Sequence, residues 1–177
     1  MMTHSSFLLL DANVVIYLFK CGAWDKLIPR VRLQVAGTVL TEAHFYLNDA
    51  GERVDFNLQT YVDAGQLDLV EVSLGDVRGF LARFDPSYAE KLDPGEAESL
   101  AYLLAASSET RICSADAIVF RVLGDLDRGE QGLSLEEALQ AAGLSRSLPQ
   151  QFSRKFRTQY TSKGVEERLY GRGLKQK

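Results

Sequence analysis

Apolar residues fall along this chain in short runs separated by polar breaks. Phe7 to Leu10 is uninterrupted, as expected of a parallel strand covered on both faces. Asp11 and Asn13 follow, and VVIYLF from Val14 continues as a mostly buried helix that Gly22 stops. Trp24, Leu27, Ile28 and Val31 keep helical spacing and predict a second short helix reaching Leu33. Gly37 to Leu40 reads as the next strand, with Thr41 capping a helix from Glu42 to about Asn48 and a break at Asn48–Gly51. Val54, Leu58, Tyr61 and Val62 predict a longer helix ending at Gly65. Leu67 to Val72 alternates apolar and acidic residues, the pattern of an edge strand with one solvated face. Ser73 caps a helix carrying Val77, Phe80, Leu81 and Phe84, and Asp85–Pro86 opens a loop running to Asp93.

The stretch from Asp93 to Asp116 reads as a capped helix, a turn, a buried strand (Arg111 to Ser114) and an acid where that strand ends. AIVFRVL then predicts another apolar helix. Gly124 to Gly132 is a polar connection, and Ser134 to Ala142 is a helix opened by a Ser134–Glu137 capping box and closed by Gly143. Strands alternating with helices predict a three-layer α/β/α sandwich with a mainly parallel central sheet. After Pro149, Phe152, Phe156 and Tyr160 recur every four residues among Arg154, Lys155 and Arg157. The expectation is a domain over residues 1–144 and a basic amphipathic extension over 145–177, frayed from Gly164 to Lys177.

Composition changes this picture in three places. The hydrophobic share of 46% and charged share of 25% are those of an ordinary globular protein. The net charge of −4 hides a division. Residues 1–144 hold 11 Lys and Arg against 22 Asp and Glu, and residues 145–177 hold 9 against 2. A basic tail on an acidic body suits either a polyanion partner or docking onto that body. Cys21 and Cys113 form no CxxC pair and, with only His4 and His44 beside them, point away from structural zinc and toward a reducing cytoplasm. The apolar start carries no Lys or Arg ahead of it and is interrupted by Asp11 and Asn13, so neither a signal peptide nor a membrane span is expected.

The candidate chemistry lies in the acids at strand ends. In a parallel α/β sheet the carboxyl ends of the strands line the functional crevice, and Asp11 and Asp116 both fall there. Either is also a good N-cap for the next helix, and capping is the favoured role for Asn13. Glu96 completes a capping-box pattern with Asp93, with Pro94 at the first helical position. The apolar stripe of this helix is Ala97, Leu100, Ala101 and Leu104. Glu96 lies roughly 85° to one side of its centre and Glu98 roughly 115° to the other, so both flank the buried face. Carboxylates that face one another persist most readily around a divalent cation. A cluster with no His or Cys suits hard Mg²⁺ or Mn²⁺, whose usual work is phosphodiester hydrolysis.

Three blocks, LLLDANVVIYL, GEAESLAYLLA and ICSADAIVFRVL, occur in the order in which they occur in the PIN-domain family of metal-dependent ribonucleases, and the chain resembles that family over roughly residues 6–144. The resemblance implies that Asp11, Glu96 and Asp116 ligate metal, that Ser114 supports the site by its hydroxyl, and that Glu98 is the alternative ligand of its block. It implies an RNA substrate, an antitoxin protein partner as in toxin–antitoxin pairs, and a homodimer. Two departures stand out. Relatives often carry an acid in the first turns of the helix after the second strand, where Tyr46 aligns here. Glu42 lies one turn away, and its simpler role is to favour the helix dipole. Relatives also often carry an acid just after the Asp116 position, where this chain has Ala117 and Ile118. Asp125 and Asp127 then read as loop acids.

The leading expectation is an RNA endonuclease using Mg²⁺ or Mn²⁺. Its alternative is a catalytically weakened nucleic-acid- or protein-binding module. Arg154, Lys155 and Arg157 are candidate phosphate contacts in either case. A haloacid dehalogenase-type phosphatase ranks below both, because DANVV lacks the second Asp of a DxD. Trp24, His44, Tyr102 and the tail aromatics read as packing or surface residues.

Overall fold

The computed structural model describes residues 6–175, so His4 and the last two residues of the tail lie outside the described part. The chain begins with β1 (Phe7–Leu10), whose last three residues are fully buried, and α1 (Ala12–Lys20). Asp11 caps α1 by accepting from the Val14 amide at 2.8 Å. The chain leaves α1 through Gly22, whose φ of 65° a side chain would oppose.

The next segment departs from expectation. Helix α2 is a single turn, Trp24–Leu27, and β2 is Arg32–Ala36 rather than Gly37–Leu40. Pro29 cannot donate within a helix, and RLQVA then pairs parallel to β1 with Leu33 to Ala36 all buried. Gly37–Glu42 is therefore a helix, α3, not a strand followed by a cap at Thr41. Its N-cap, Ala36, offers no side-chain acceptor; the carboxylate of Glu98 reaches across and accepts from Thr38 N at 2.9 Å.

The expected helix at 42–48 is instead the first arm of a hairpin, β3 (Phe45–Leu47) and β4 (Arg53–Asp55), paired Tyr46 to Val54. Asn48 Oδ1 turns it by accepting from the Ala50 and Glu52 amides. Helix α4 (Leu58–Asp63) begins later than expected, capped by Asn57. β5 (Leu67–Val70) is the edge strand, and α5 (Leu74–Leu81) is capped by Ser73. The loop before Asp93 holds one helical turn, α6 (Pro86–Ala89). α7 (Pro94–Ala105), β6 (Arg111–Cys113) and α8 (Ala117–Asp125) follow as the sequence predicts. A two-residue strand within the expected connection, β7 (Gly132–Leu133), precedes α9 (Leu135–Ala141) with its Ser134–Glu137 capping box.

The protein is α/β, with a central sheet of five parallel strands in the order β5-β2-β1-β6-β7, flanked by helices. From β1 the chain winds outward to one side through β2 and β5, then returns to β6 and winds to the other. The strand order thus reverses between β1 and β6, which opens a crevice at their carboxyl ends.

The tail docks rather than frays. Helix α10 (Arg154–Leu169) runs through Gly164 and packs over α8. A Cβ on Gly164 would collide with the Arg121 carbonyl oxygen, and one on Gly124 with that of Thr161. Arg157 pairs doubly with Glu137 (2.7 and 2.9 Å) and Arg121 with Glu167. The chain then turns back, and Leu174 N donates to Asp125 at 2.8 Å. Among the described residues no helix is long and apolar enough to cross a membrane.

Candidate active site

Asp11 and Asp116 stand at equivalent places, each one or a few residues beyond one of the two strands that border the crevice and each capping the next helix. Ser114 ties them together. Its hydroxyl donates to Asp11 Oδ2 and accepts from the Asp116 amide at 3.0 Å; Ala115 N adds a bond to the same Asp11 oxygen at 3.2 Å. Asp116 Oδ1 accepts from Ile118 N at 3.0 Å. The support expected of Ser114 is thus a direct bond to one acid and to the backbone of the other.

The third acid comes from the first turn of α7. Asp93 caps it and Glu96 returns the bond, Oε2 accepting from Asp93 N at 3.0 Å. The cap role and the site role of Glu96 coexist, since one oxygen satisfies the helix. Glu96 Oε1 and Asp116 Oδ2 accept no hydrogen bond among the described residues.

Asp11, Asn13, Glu42, Asp93 and Glu96 line one cavity of about 190 Å³. The cavity revises two readings. Glu42 faces the candidate site: with β2 ending at Ala36, it lies in the second turn of the helix after the second strand. The first turn of α7 lies against it, since a Cβ on Gly95 would sit 3.4 Å from Glu42 Oε2 and 3.5 Å from Asp93 Oδ1. Asp93 is a cap and a wall of the cavity at once. Asn13, in contrast, caps nothing; it lies inside α1 with its exposed side chain toward the cavity. The signal for Glu42 was present in RLQVA, whose buried strand places the following helix five residues earlier.

The electrostatics agree with this convergence. Burial pushes the Asp11 carboxyl up to about 6, against its bonds to Ser114, Val14 and Ala115, and the charge of Asp116 adds to the rise. Glu96 is raised well above the carboxylate range, by burial first and then by the charges of Asp116, Asp93 and Asp11. Partial desolvation raises Glu42 too, helped by Asp93 and Glu98. The charges that act most strongly on Glu96 and Glu42 are other acids, the environment of a cation site rather than of an internal ion pair. Among the described residues no three side chains already close on one point as a ligand cage. Asp11, Glu96 and Asp116 are instead each held at the crevice wall by a cap bond.

Other expected residues fall elsewhere. Glu98 is occupied at Thr38 on the far side of α7 from Glu96. Asp125 ends α8, about 13 Å along the helix from Asp116. His44 is exposed, its Nδ1 at 2.9 Å from the Glu42 carbonyl oxygen. Arg154 and Arg157 both pair with Glu137, and Arg154 and Lys155 are exposed while Arg157 is half-buried. The chain matched no family model, no curated protein and no solved structure in the comparisons made.

Proposed function

We propose that the protein is a PIN-like nuclease that hydrolyses RNA phosphodiester bonds with Mg²⁺ or Mn²⁺, as an endonuclease. The observation that carries this reading is the placing of Asp11, Glu42 and Glu96 on one cavity, with Asp116 tied to Asp11 through Ser114, where the strand order reverses. The donor set fits a hard divalent cation: oxygens only, two of them without hydrogen bonds among the described residues, with Asp11 and Glu96 both raised by burial and by neighbouring acids. Asp11, Glu96 and Asp116 would hold the ion, with Glu42 completing the acid set from α3. A cation bound there supplies Lewis acidity and a lowered water pKa for attack on phosphorus, so no protein nucleophile is required.

The chain's own residues do the positioning. Ser114 fixes the Asp11 carboxylate and the backbone of Asp116, so the two strand-end acids keep their spacing. The Asp93 cap fixes the rotation of α7 and with it the direction of Glu96. Glu42 on the wall of the acid cavity supports this reading over a weakened, binding-only domain, which the lack of a fourth acid would favour. By the same resemblance the chain would act in the cytoplasm as the toxin of a toxin–antitoxin pair, with an antitoxin covering the crevice and a homodimer as its assembly.

The test is incubation of single-stranded RNA with the full chain and Mn²⁺ or Mg²⁺, beside Asp11→Asn and an EDTA control. Internal cuts that depend on metal and fall at least about a thousandfold in the variant support the reading. RNA left intact under every metal condition, yet still bound, would make the chain a binding module.

A further inference from the structure

The first turn of α7 has two sides, and the crevice occupies only one. On the other side lies a second cavity of about 300 Å³ that shares Asp93 with the acid cavity. Its walls come from the N-terminus of α3 (Thr38), from α5 (Leu74, Val77, Leu81) and from α7 (Ala97, Glu98). Both cavities open along the same carboxyl edge of the sheet, the acid one beyond β1 and the second beyond β2 and β5. A ligand laid along that edge therefore crosses from one to the other over the turn that carries Glu96 and Glu98.

The lining restricts what can enter. Its charged side chains are both acidic, Asp93 and Glu98, so a phosphate is repelled. The remainder is aliphatic apart from Thr38, and Leu74 stands three-quarters exposed at the mouth, a surface for a flat apolar ring. Glu98 is half-buried and held in place by Thr38 N through Oε2, while Oε1 accepts no hydrogen bond among the described residues. A fixed carboxylate only accepts hydrogen bonds. Of the four bases, guanine offers it two adjacent N–H donors, whereas uracil presents mainly carbonyl acceptors.

We propose that this second cavity is a base subsite, in which Glu98 and the aliphatic walls of α5 and α7 seat a guanine beside the phosphate held at the acid crevice. The proposal rests on the nuclease reading and makes Glu98 a specificity residue rather than a metal ligand.

The test uses the full chain and two readouts. In the first, single-stranded RNA with a randomised segment is cut with Mn²⁺ and both product ends are sequenced. Guanine is expected to be enriched roughly five- to a hundredfold at one fixed position beside the cut. Val77→Phe, which fills the cavity from α5, and Glu98→Gln, which replaces one acceptor by a donor, are each expected to bring that enrichment below about twofold. In the second, guanosine and uridine monophosphates are titrated into the metal-free protein while backbone amide signals are followed by NMR. The guanosine nucleotide should shift Thr38 and Ala97, and the uridine one should not. Cleavage without base preference, or with a preference that both variants retain, overturns the subsite and leaves the nuclease standing. Guanosine monophosphate binding at Thr38 and Ala97 without any RNA cleavage keeps the subsite and removes the nuclease. If neither nucleotide binds and no preference exists, while an amphipathic helical peptide occupies the cavity, the subsite is wrong and the surface serves a protein.

Discussion

Asp11 links the crevice to the stability of the fold. Its carboxyl is raised from 3.8 to about 6 in the folded chain, mainly by burial. A raised folded value means the stability it contributes is fully present below about 3.8 and is lost as pH rises through about 6. In EDTA, unfolding free energy should fall across that window, by at most about 3 kcal/mol from this residue. Asp11→Asn, which keeps a capping oxygen, should flatten the fall and unfold at higher urea than the parent at pH 7.5, while losing cleavage. Urea titrations at pH 4.5 and 7.5 check both; an equal fall in the variant would assign the pH dependence to other groups. Ser114→Ala is a companion case. Leaving a buried carboxylate without its hydroxyl partner should cost about 1–3 kcal/mol and weaken Mn²⁺ binding about tenfold or more, measured by titration calorimetry.

Two contacts between elements hold the fold together, one of them at the site. The cap from Glu98 to Thr38 joins α7 to α3 and so sets Glu42 against Glu96. Glu98→Ala should cost about 1 kcal/mol of stability, with Glu98→Gln recovering most of it through its remaining oxygen. Thermal unfolding of the two variants separates a lost cap from a lost charge. The crossing of α10 over α8 depends on glycine at both closest points. Gly164→Ala forces a methyl group against the backbone of Arg121, which cannot move aside as a side chain could. We expect a loss of about 3 kcal/mol or more, read from chemical denaturation; a neutral result would mean the helices stand further apart.

At the scale of the whole molecule, metal binding and folding are linked through the crevice. A cation that binds only the folded chain raises its melting temperature, and protons on Asp11 and Glu96 compete with it. Mn²⁺ should therefore raise the melting temperature more at pH 8 than at pH 5.5, a difference absent from Asp11→Asn. Scanning calorimetry at the two pH values tests this. The docked tail belongs to the same account. Its Arg154 and Arg157 pair with Glu137 and its Arg168 with Asp127, while its Glu167 pairs with Arg121 of the body, so the charge division along the chain is in part an internal match between tail and body.

What the sequence determined by itself is local. The caps at Asp11, Ser73, Asp93 and Ser134 each satisfy an amide no more than three residues away, and so were legible from spacing alone. The same holds for β1, uniformly apolar, for β6, apolar and buried after Arg111, and for the acids that follow them. Tertiary structure decided what depends on distant partners. Gly37–Glu42 is helical with a cap supplied from 60 residues away, and RLQVA is a strand because β1 and β5 flank it. β7 is two residues long and exists only beside β6. Glu42 joins the acids, and the tail folds onto α8, for the same reason. Hydrogen bonds within one turn leave their mark on neighbouring residues, whereas pairing across the sheet and close helix crossing are settled by which surfaces meet.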